Sequence, residues 1–336
     1  METLTENKLL LIAPVFMGYY KEIIREAELL GYSVDYVCDA PSNSNISKAI
    51  GRVNKKLIEG STRRYFNNSV LPEIKDKKYN YVLVIASMSF ALTPDMVKKL
   101  RELNHEARFV MYQWDGEDNL PFAKKIHNYF DKVYTFDRLD CQKKDIYTFL
   151  PLFYTREYEG IDKDKAEYDY DCVYIGTAHP KKYEEINRMS LSLADALSKQ
   201  YIYHYMPSKL KYIYHKILNV EYRKAKFSDF KTEKVSKNDI LKLYNSTKYI
   251  LDAPQAGQNG LTMRTIECLG ARKKLVTTNE DIKNYDFYDE TNIYVFNEED
   301  NIDFNSSFFT DGYKELPEKI YKKYSLKNWL KTLLED

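Results

Sequence analysis

Short unbroken apolar runs alternate with stretches of helical periodicity along most of the chain. Lys8 to Pro14 is such a run, as expected of a strand buried on both faces. Phe16 to Tyr20 turns the chain, Lys21 to Leu30 has helical spacing, and Gly31 supplies a stop. Tyr32 to Val37 reads as a second strand, giving a βαβ opening. Residues 42–78 are polar and basic, with helical stretches and no clear strand. Tyr81 to Ala86, Arg108 to Gln113 and Lys132 to Phe136 continue the strands. Between the first two, Thr93 precedes Pro94 in the pattern of an N-cap followed by proline at the first helical position. Thr148 to Phe153 reads as a link leading out of the first domain.

The alternation restarts at Asp171 to Ile175. A turn follows at Gly176-Thr177-Ala178-His179, then a helix from Tyr183 to Leu197 and a strand from Gln200 to Tyr205. Asn238 to Asn245 is helical with Ser236 as its cap. Lys248 to Leu251, Lys274 to Thr277 and Asn292 to Phe296 complete a second parallel set. From Tyr313 the chain reads as helix, broken near Tyr324 and Ser325. The pattern predicts an α/β protein of two Rossmann-like domains, residues 1–150 and 151–312. Residues 313–336 are predicted to form final helices.

One stretch concentrates candidate chemistry. A strand ends near Asp252, a Gly-containing loop follows, and a helix carrying Arg264 and Glu267 leads through Gly270 to the next strand. Such a loop and helix N-terminus can present backbone N–H groups to a phosphate, with Gly260 and Thr262 in the approach. Arg264 can fork onto a diphosphate, and Glu267, three residues on, can accept hydrogen bonds from a ribose diol. Diphosphate and ribose together describe a nucleotide-sugar pocket. A surface Arg and Glu on an ordinary helix is the competing reading.

This Gly260-Leu261-Thr262-Met263-Arg264 segment with Glu267, followed by a Lys-rich turn and Val276-Thr277-Thr278-Asn279, resembles the donor-binding signature of GT-B glycosyltransferases. In this variant it resembles a bacterial branch that includes CgeB-type spore-maturation proteins and capsule or lipopolysaccharide biosynthesis enzymes. The resemblance implies two Rossmann-like domains facing a cleft, with final helices crossing back onto the first. It implies a donor site in the second domain and an acceptor site in the first. Retaining members often carry a further glutamate where Asn259 stands here, so the stereochemical course stays open.

Other candidates are more diffuse. The turn at Gly176 and Thr177, with Lys182 after it, occupies a place that related enzymes use against donor phosphates; Lys181 and Arg188 are alternatives, and a solvated lysine pair is the plain reading. Trp114 and Asp115 end a strand of the first domain, where α/β sheets place their sites. Asp115 is the candidate general base for an acceptor hydroxyl, or else a turn cap. Asp137 and Asp140 are rivals. Gly18 and Tyr19 follow the first strand and are candidates for acceptor contact or for packing; no GxGxxG pattern is present there. Between Tyr205 and Lys231, lysines and arginines interleave with aromatics. That stretch reads either as a solvated insertion with tyrosines on its buried face or as a surface for an anionic membrane.

Composition narrows the classes. The chain has 336 residues, enough for two domains, and its 51 basic and 50 acidic residues leave a net charge of +1. That balance argues against a nucleic-acid partner. The 31 tyrosines suit carbohydrate platforms but equally a biased genome. Cys38, Cys141, Cys172 and Cys268 have no metal-ligand spacing and are expected to be buried free thiols in a reducing cytoplasm. No signal pattern or spanning segment is expected, so the location reads as cytoplasmic, with peripheral contact at the inner membrane face. Asp169 and Asp171 have Asp-x-Asp spacing but precede their strand, so no obligatory metal or cofactor is expected. The function expected is transfer of a sugar from a nucleotide-diphosphate sugar to a saccharide or lipid-linked acceptor in surface polysaccharide assembly. A sugar-nucleotide epimerase and a non-catalytic nucleotide-sugar binder are the alternatives.

Overall fold

The structure, a computed structural model, describes residues 7–41, 56–88, 90–120, 122–163, 165–255, 259–297, 299 and 301–335, with only the backbone of 56 and 57. Much of the polar 42–78 stretch lies outside these residues. The chain divides into two compact units, Met1–Pro151 with Leu326–Asp336, and Leu152–Ser325.

The first unit is built on six parallel strands: β1 (Asn7–Ala13), β2 (Tyr32–Cys38), β3 (Tyr81–Ala86), β4 (Arg108–Gln113), β5 (Lys132–Thr135) and β6 (Tyr147–Phe149). Their order is β2-β1-β3-β4-β5-β6. The strand order reverses between β1 and β3, which makes their carboxyl ends the switch point of this sheet. Strands β1, β3 and β4 are buried along nearly their whole length, which explains their unbroken apolar runs: both faces are covered. One correction falls here. Thr148 and Phe149, expected to open an outgoing link, belong to the sixth strand, Tyr147–Phe149, which pairs Tyr134 with Thr148. Three residues before a Pro-containing segment are too few to show period-two patterning.

The final helix, Leu326–Glu335, belongs to this unit and buries Leu326, Trp329, Leu330, Leu333 and Leu334. The Trp329 ring meets Tyr112 of β4 edge-on, with centroids 4.8 Å apart, and the Tyr134 hydroxyl donates to the Thr332 carbonyl at 3.1 Å. Helix does not begin at Tyr313: the preceding helix is Glu318–Lys323, after Pro317, and it stays with the second unit. Proline fixes the start, because it lacks the N–H that an earlier helical turn would need.

The second unit carries β7 (Tyr170–Thr177), β8 (Gln200–Tyr205), β9 (Phe230–Lys231), β10 (Thr247–Asp252), β11 (Lys274–Thr277) and β12 (Ile293–Val295). All pairings are parallel, in the order β12-β11-β10-β7-β8-β9. Counted within the unit, this is the order of dinucleotide-binding Rossmann sheets, with its switch point between β7 and β10. The strand β7 runs on through Gly176 and Thr177, which were expected in a turn. The basic aromatic stretch folds into helix Lys209–Leu218, short helical turns and the edge strand β9.

Two smaller expectations need revision. Thr93 stands at its N-cap position, but its hydroxyl bonds the Asp95 carboxylate rather than a backbone N–H. Cys172 and Cys268 are buried, whereas Cys38 and Cys141 are only half-buried. No described helix is long and apolar enough to cross a membrane.

Candidate functional site

The switch point of the second unit gathers four segments around one carboxylate. Asp252, the last residue of β10, is fully buried. Its Oδ1 accepts from Arg264 Nη1 at 2.6 Å and faces Lys182 Nζ at 3.8 Å. Its Oδ2 accepts from the hydroxyls of Thr262 and Thr265, the latter at 2.9 Å. Arg264 Nη2 donates to the carbonyl of Ile175 on β7. Thr262 is also the N-cap of helix Met263–Gly270, its side chain accepting from the Thr265 N–H at 3.3 Å. Lys182 lies in the first turn of helix Pro180–Ser192. The first turns of two helices therefore converge at the carboxyl ends of β7 and β10, and both present positive dipole ends there.

The electrostatics follow from burial. Burial pushes the Asp252 carboxyl up, but the Arg264 and Lys182 charges and the two threonine hydroxyls outweigh it, so it sits below the usual carboxylate range. Burial pulls Lys182 down to about 8, against the opposing pull of Asp252. Lys182 and Arg264 bring two positive charges and Asp252 one negative, so the triad carries a net positive charge when Lys182 is protonated.

Gly176 is required by this packing. A Cβ there would stand 2.8 Å from Tyr174 Cζ and 2.9 Å from Arg264 Nη2, inside van der Waals contact. The Arg264 guanidinium lies over the Tyr174 ring, 4.9 Å from its centroid. Thr177 ends β7 exposed, and Ala178 behind it is buried. His179 holds the N-cap position of its helix without a side-chain cap bond. Lys181 and Arg188 pair along that helix with Glu185 at 3.5 Å and Glu184 at 2.6 Å, so only Lys182 of the three reaches the Asp252 cluster.

Glu267 is 7% exposed, on the helix that Thr262 caps. After burial, its charge is the next influence that raises the phenol of the buried Tyr244. Gly260 is buried just before the cap, and residues 256–258 of the loop lie outside those described. Asn259 offers its backbone carbonyl to the Asn279 side chain at 3.1 Å, while Thr278 bonds Glu185 at 2.9 Å. The loops after β10 and β11 and helix Pro180–Ser192 are thereby tied around the cluster.

One expectation changes. Arg264 was expected to aim its fork at a diphosphate; both of its terminal nitrogens are engaged, by Asp252 and by the Ile175 carbonyl. Asp252, to which the sequence alone gave no role, is the hub. Its one sequence signal was its place at a strand end ahead of a Gly-containing loop.

In the first unit, Asp115 and Trp114 follow β4. Asp115 Oδ2 accepts from the Met88 N–H in the loop after β3 at 2.9 Å, and the Trp114 N–H donates to the carbonyl of Ala86, the last residue of β3, at 2.9 Å. The Trp114 ring meets Tyr19 at a tilt, 5.5 Å between centroids, and Tyr19 in turn stacks on Phe16, which is 56% exposed. Met17 and Gly18 both hold positive φ, 48° and 79°, so Gly18 allows the chain to turn into helix Tyr19–Leu29. Gly18, Tyr19, Trp114 and Asp115 thus share the switch-point end of this sheet. The rivals have local duties: Asp137 caps helix Arg138–Lys143 through the Leu139 N–H at 2.9 Å, and Asp140 accepts from the Glu117 N–H at 2.7 Å. Sequence reasoning missed Glu117, which binds Lys124, Lys144 (2.6 Å) and the Tyr147 hydroxyl (2.8 Å). Burial opposes its charge, but these donors hold its pKa down at about 2.

No protein-family model and no curated protein sequence matches the chain. Solved structures do. A glycosyltransferase from Rickettsia africae matches over 98% of this chain and 97% of its own, with a TM-score of 0.52 at 11% identity. Sucrose-phosphate synthase from Thermosynechococcus elongatus matches over 98% and 95%, with a TM-score of 0.53 at 9% identity. An alpha-glucosyltransferase solved with UDP and a 13-mer DNA matches over 81% and 80%, with a TM-score of 0.51 at 11% identity. With two parallel six-stranded sheets, each in its own Rossmann-like unit, the chain has the fold of the GT-B glycosyltransferases it resembles.

Proposed function

We propose that this protein transfers a sugar from a nucleotide-diphosphate donor to a saccharide or lipid-linked saccharide in bacterial surface polysaccharide assembly. The observation that carries the reading is the convergence of two helix N-termini and the net-positive Lys182–Asp252–Arg264 triad at the switch point of the second unit. A diphosphate supplies the negative charge that this cluster lacks. Arg264 holds the Asp252 hub and the carboxyl end of β7, while Lys182, Thr262, the N–H groups around Gly260 and the exposed Thr177 hydroxyl receive the phosphates. Glu267 accepts from the ribose diol. Asp115, among Gly18, Tyr19 and Trp114, takes the proton of the acceptor hydroxyl. Fixed dipoles and cations stabilise the departing diphosphate without an obligatory metal. UDP in the similar alpha-glucosyltransferase makes UDP the first nucleotide to try.

The test is thermal unfolding with UDP, GDP, CDP, ADP and their sugar conjugates, since a ligand of the native state raises apparent stability by mass action. One nucleotide family should raise the transition, and Glu267→Ala should abolish that rise while leaving the unliganded transition in place. Absence of any shift, or an equal shift in Glu267→Ala, would overturn the assignment. With donor and acceptor supplied, Asp115→Asn should lower turnover with donor affinity unchanged.

A further inference from the structure

Helix Lys209–Leu218 displays an apolar face to solvent. Leu210 is 79% exposed, Ile213 43%, Tyr214 61%, Ile217 77% and Leu218 61%, and Val220 just beyond is 63% exposed. At 3.6 residues per turn, these five helical positions fall within an arc of about 140°. The opposite side is anchored. Tyr212 is buried against Phe227 and Phe230, its hydroxyl donates to the Ala225 carbonyl at 2.9 Å, and Lys216 Nζ reaches the same carbonyl at 2.7 Å. The apolar face is therefore held outward by the packing, and is not an unpacked core face.

Charge identifies the occupant. On the helical wheel, Lys209 borders the arc on one side and Lys211 on the other. Arg223, Lys224 and Lys226 follow directly, all exposed, with Glu221 the one acidic residue between Lys209 and Lys226. An apolar stripe rimmed by cations is the form of a helix lying in the plane of an anionic bilayer: the apolar side chains enter the acyl boundary and the lysines reach up to the headgroups. A second copy of this face fits poorly, because a two-fold contact would bring like-charged rims together.

We propose that this face of helix Lys209–Leu218, with Val220 and the basic residues that border it, docks the protein on an anionic lipid surface. The contact does not depend on the nucleotide reading, and its test involves no turnover.

The experiment is flotation of the full chain with phosphatidylcholine vesicles, with and without phosphatidylglycerol, at low and high salt. Binding should require phosphatidylglycerol and weaken with salt. The Leu210→Glu, Ile217→Glu double variant should bind at least roughly tenfold more weakly, since two exposed apolar side chains lose their burial. Lys209→Gln and Lys224→Gln should each weaken binding about fivefold. Leu29→Glu, at an exposed apolar position in the first unit, should bind like the unaltered chain. In an Ile217→Trp variant the indole emission should shift to the blue on adding the anionic vesicles. Because every altered side chain is exposed, melting temperatures should match, and a matched melting temperature with unchanged binding in the double variant overturns the proposal. So do absence of binding to anionic vesicles, absence of the blue shift, and concentration-dependent self-association without lipid that the double variant abolishes.

Discussion

Asp252 shows how one residue's worth depends on what surrounds it. Removing it leaves the buried Lys182 and the partly buried Arg264 without their carboxylate, so Asp252→Ala should cost about 3–5 kcal/mol of stability by urea titration. A cost below about 1 kcal/mol would show that the cluster is solvated, contrary to its burial. Gly176→Ala should cost about 1–3 kcal/mol, because the added methyl meets Tyr174 and Arg264. Lys182 makes a second, ligand-linked prediction. With its pKa near 8, it is protonated below that pH and neutral above it. Diphosphate binding favours the charged form, so affinity measured by calorimetry should fall as pH rises through 8, with proton uptake on binding near that pH. At this scale the sequence singled out Arg264, Glu267 and Lys182 as candidates. It did not show that Arg264 is held by Asp252, because they stand twelve positions apart along loop and cap and only folding closes that distance.

At the scale of elements, most boundaries were legible where local chemistry sets them. Ser236 caps helix Lys237–Asn245 through the Asp239 N–H, as its position before an apolar-periodic run suggests. Thr262 and Thr93 occupy like positions with different outcomes. Thr262→Ala removes a cap bond and a hydrogen bond to the buried Asp252, and should cost about 1–2 kcal/mol. Thr93→Ala removes only an exposed contact with Asp95 and should cost less than about 0.5 kcal/mol. Equal costs, read from denaturant midpoints, would contradict the difference in capping. Strand β6 was not legible, since its three residues carry no period and gain their identity from pairing with β5.

For the molecule as a whole, the buried titratable groups define the response to acid. Burial lowers His127 and His204 to about 4 from an ordinary value near 6.5. A group whose folded pKa is depressed contributes stability that is full above its unfolded pKa and declines as pH falls towards its folded pKa. The histidines therefore act between about 6.5 and 4, and Glu117, at about 2 against an ordinary 4.5, acts below them. His204 alone should account for about 2 kcal/mol of the stability lost from pH 7 to pH 5. A His204→Phe chain should show a correspondingly smaller loss by urea titration at the two values, and an unchanged loss would place the titration elsewhere. The final helix is another whole-molecule feature: the sequence read it as helix, the resemblance implied that it returns to the first domain, and the Trp329 contact with Tyr112 and the Tyr134 bond to the Thr332 carbonyl tie it to the first sheet.

By itself the sequence determined the alternation of strands and helices, the parallel α/β class and the segment that carries the candidate donor chemistry. These are set by short-range physics: side-chain period, capping hydroxyls, and proline and glycine geometry. The tertiary structure decided which strand ends meet at each switch point, that Asp252 is the centre of the charged cluster, and which face of helix Lys209–Leu218 remains open to solvent. That helix has apolar residues on more than one side, and periodicity cannot say which side Ala225, Phe227 and Phe230 will cover. Such outcomes depend on chain segments distant in sequence becoming neighbours, where burial and the pairing of charges fix each side chain's partner.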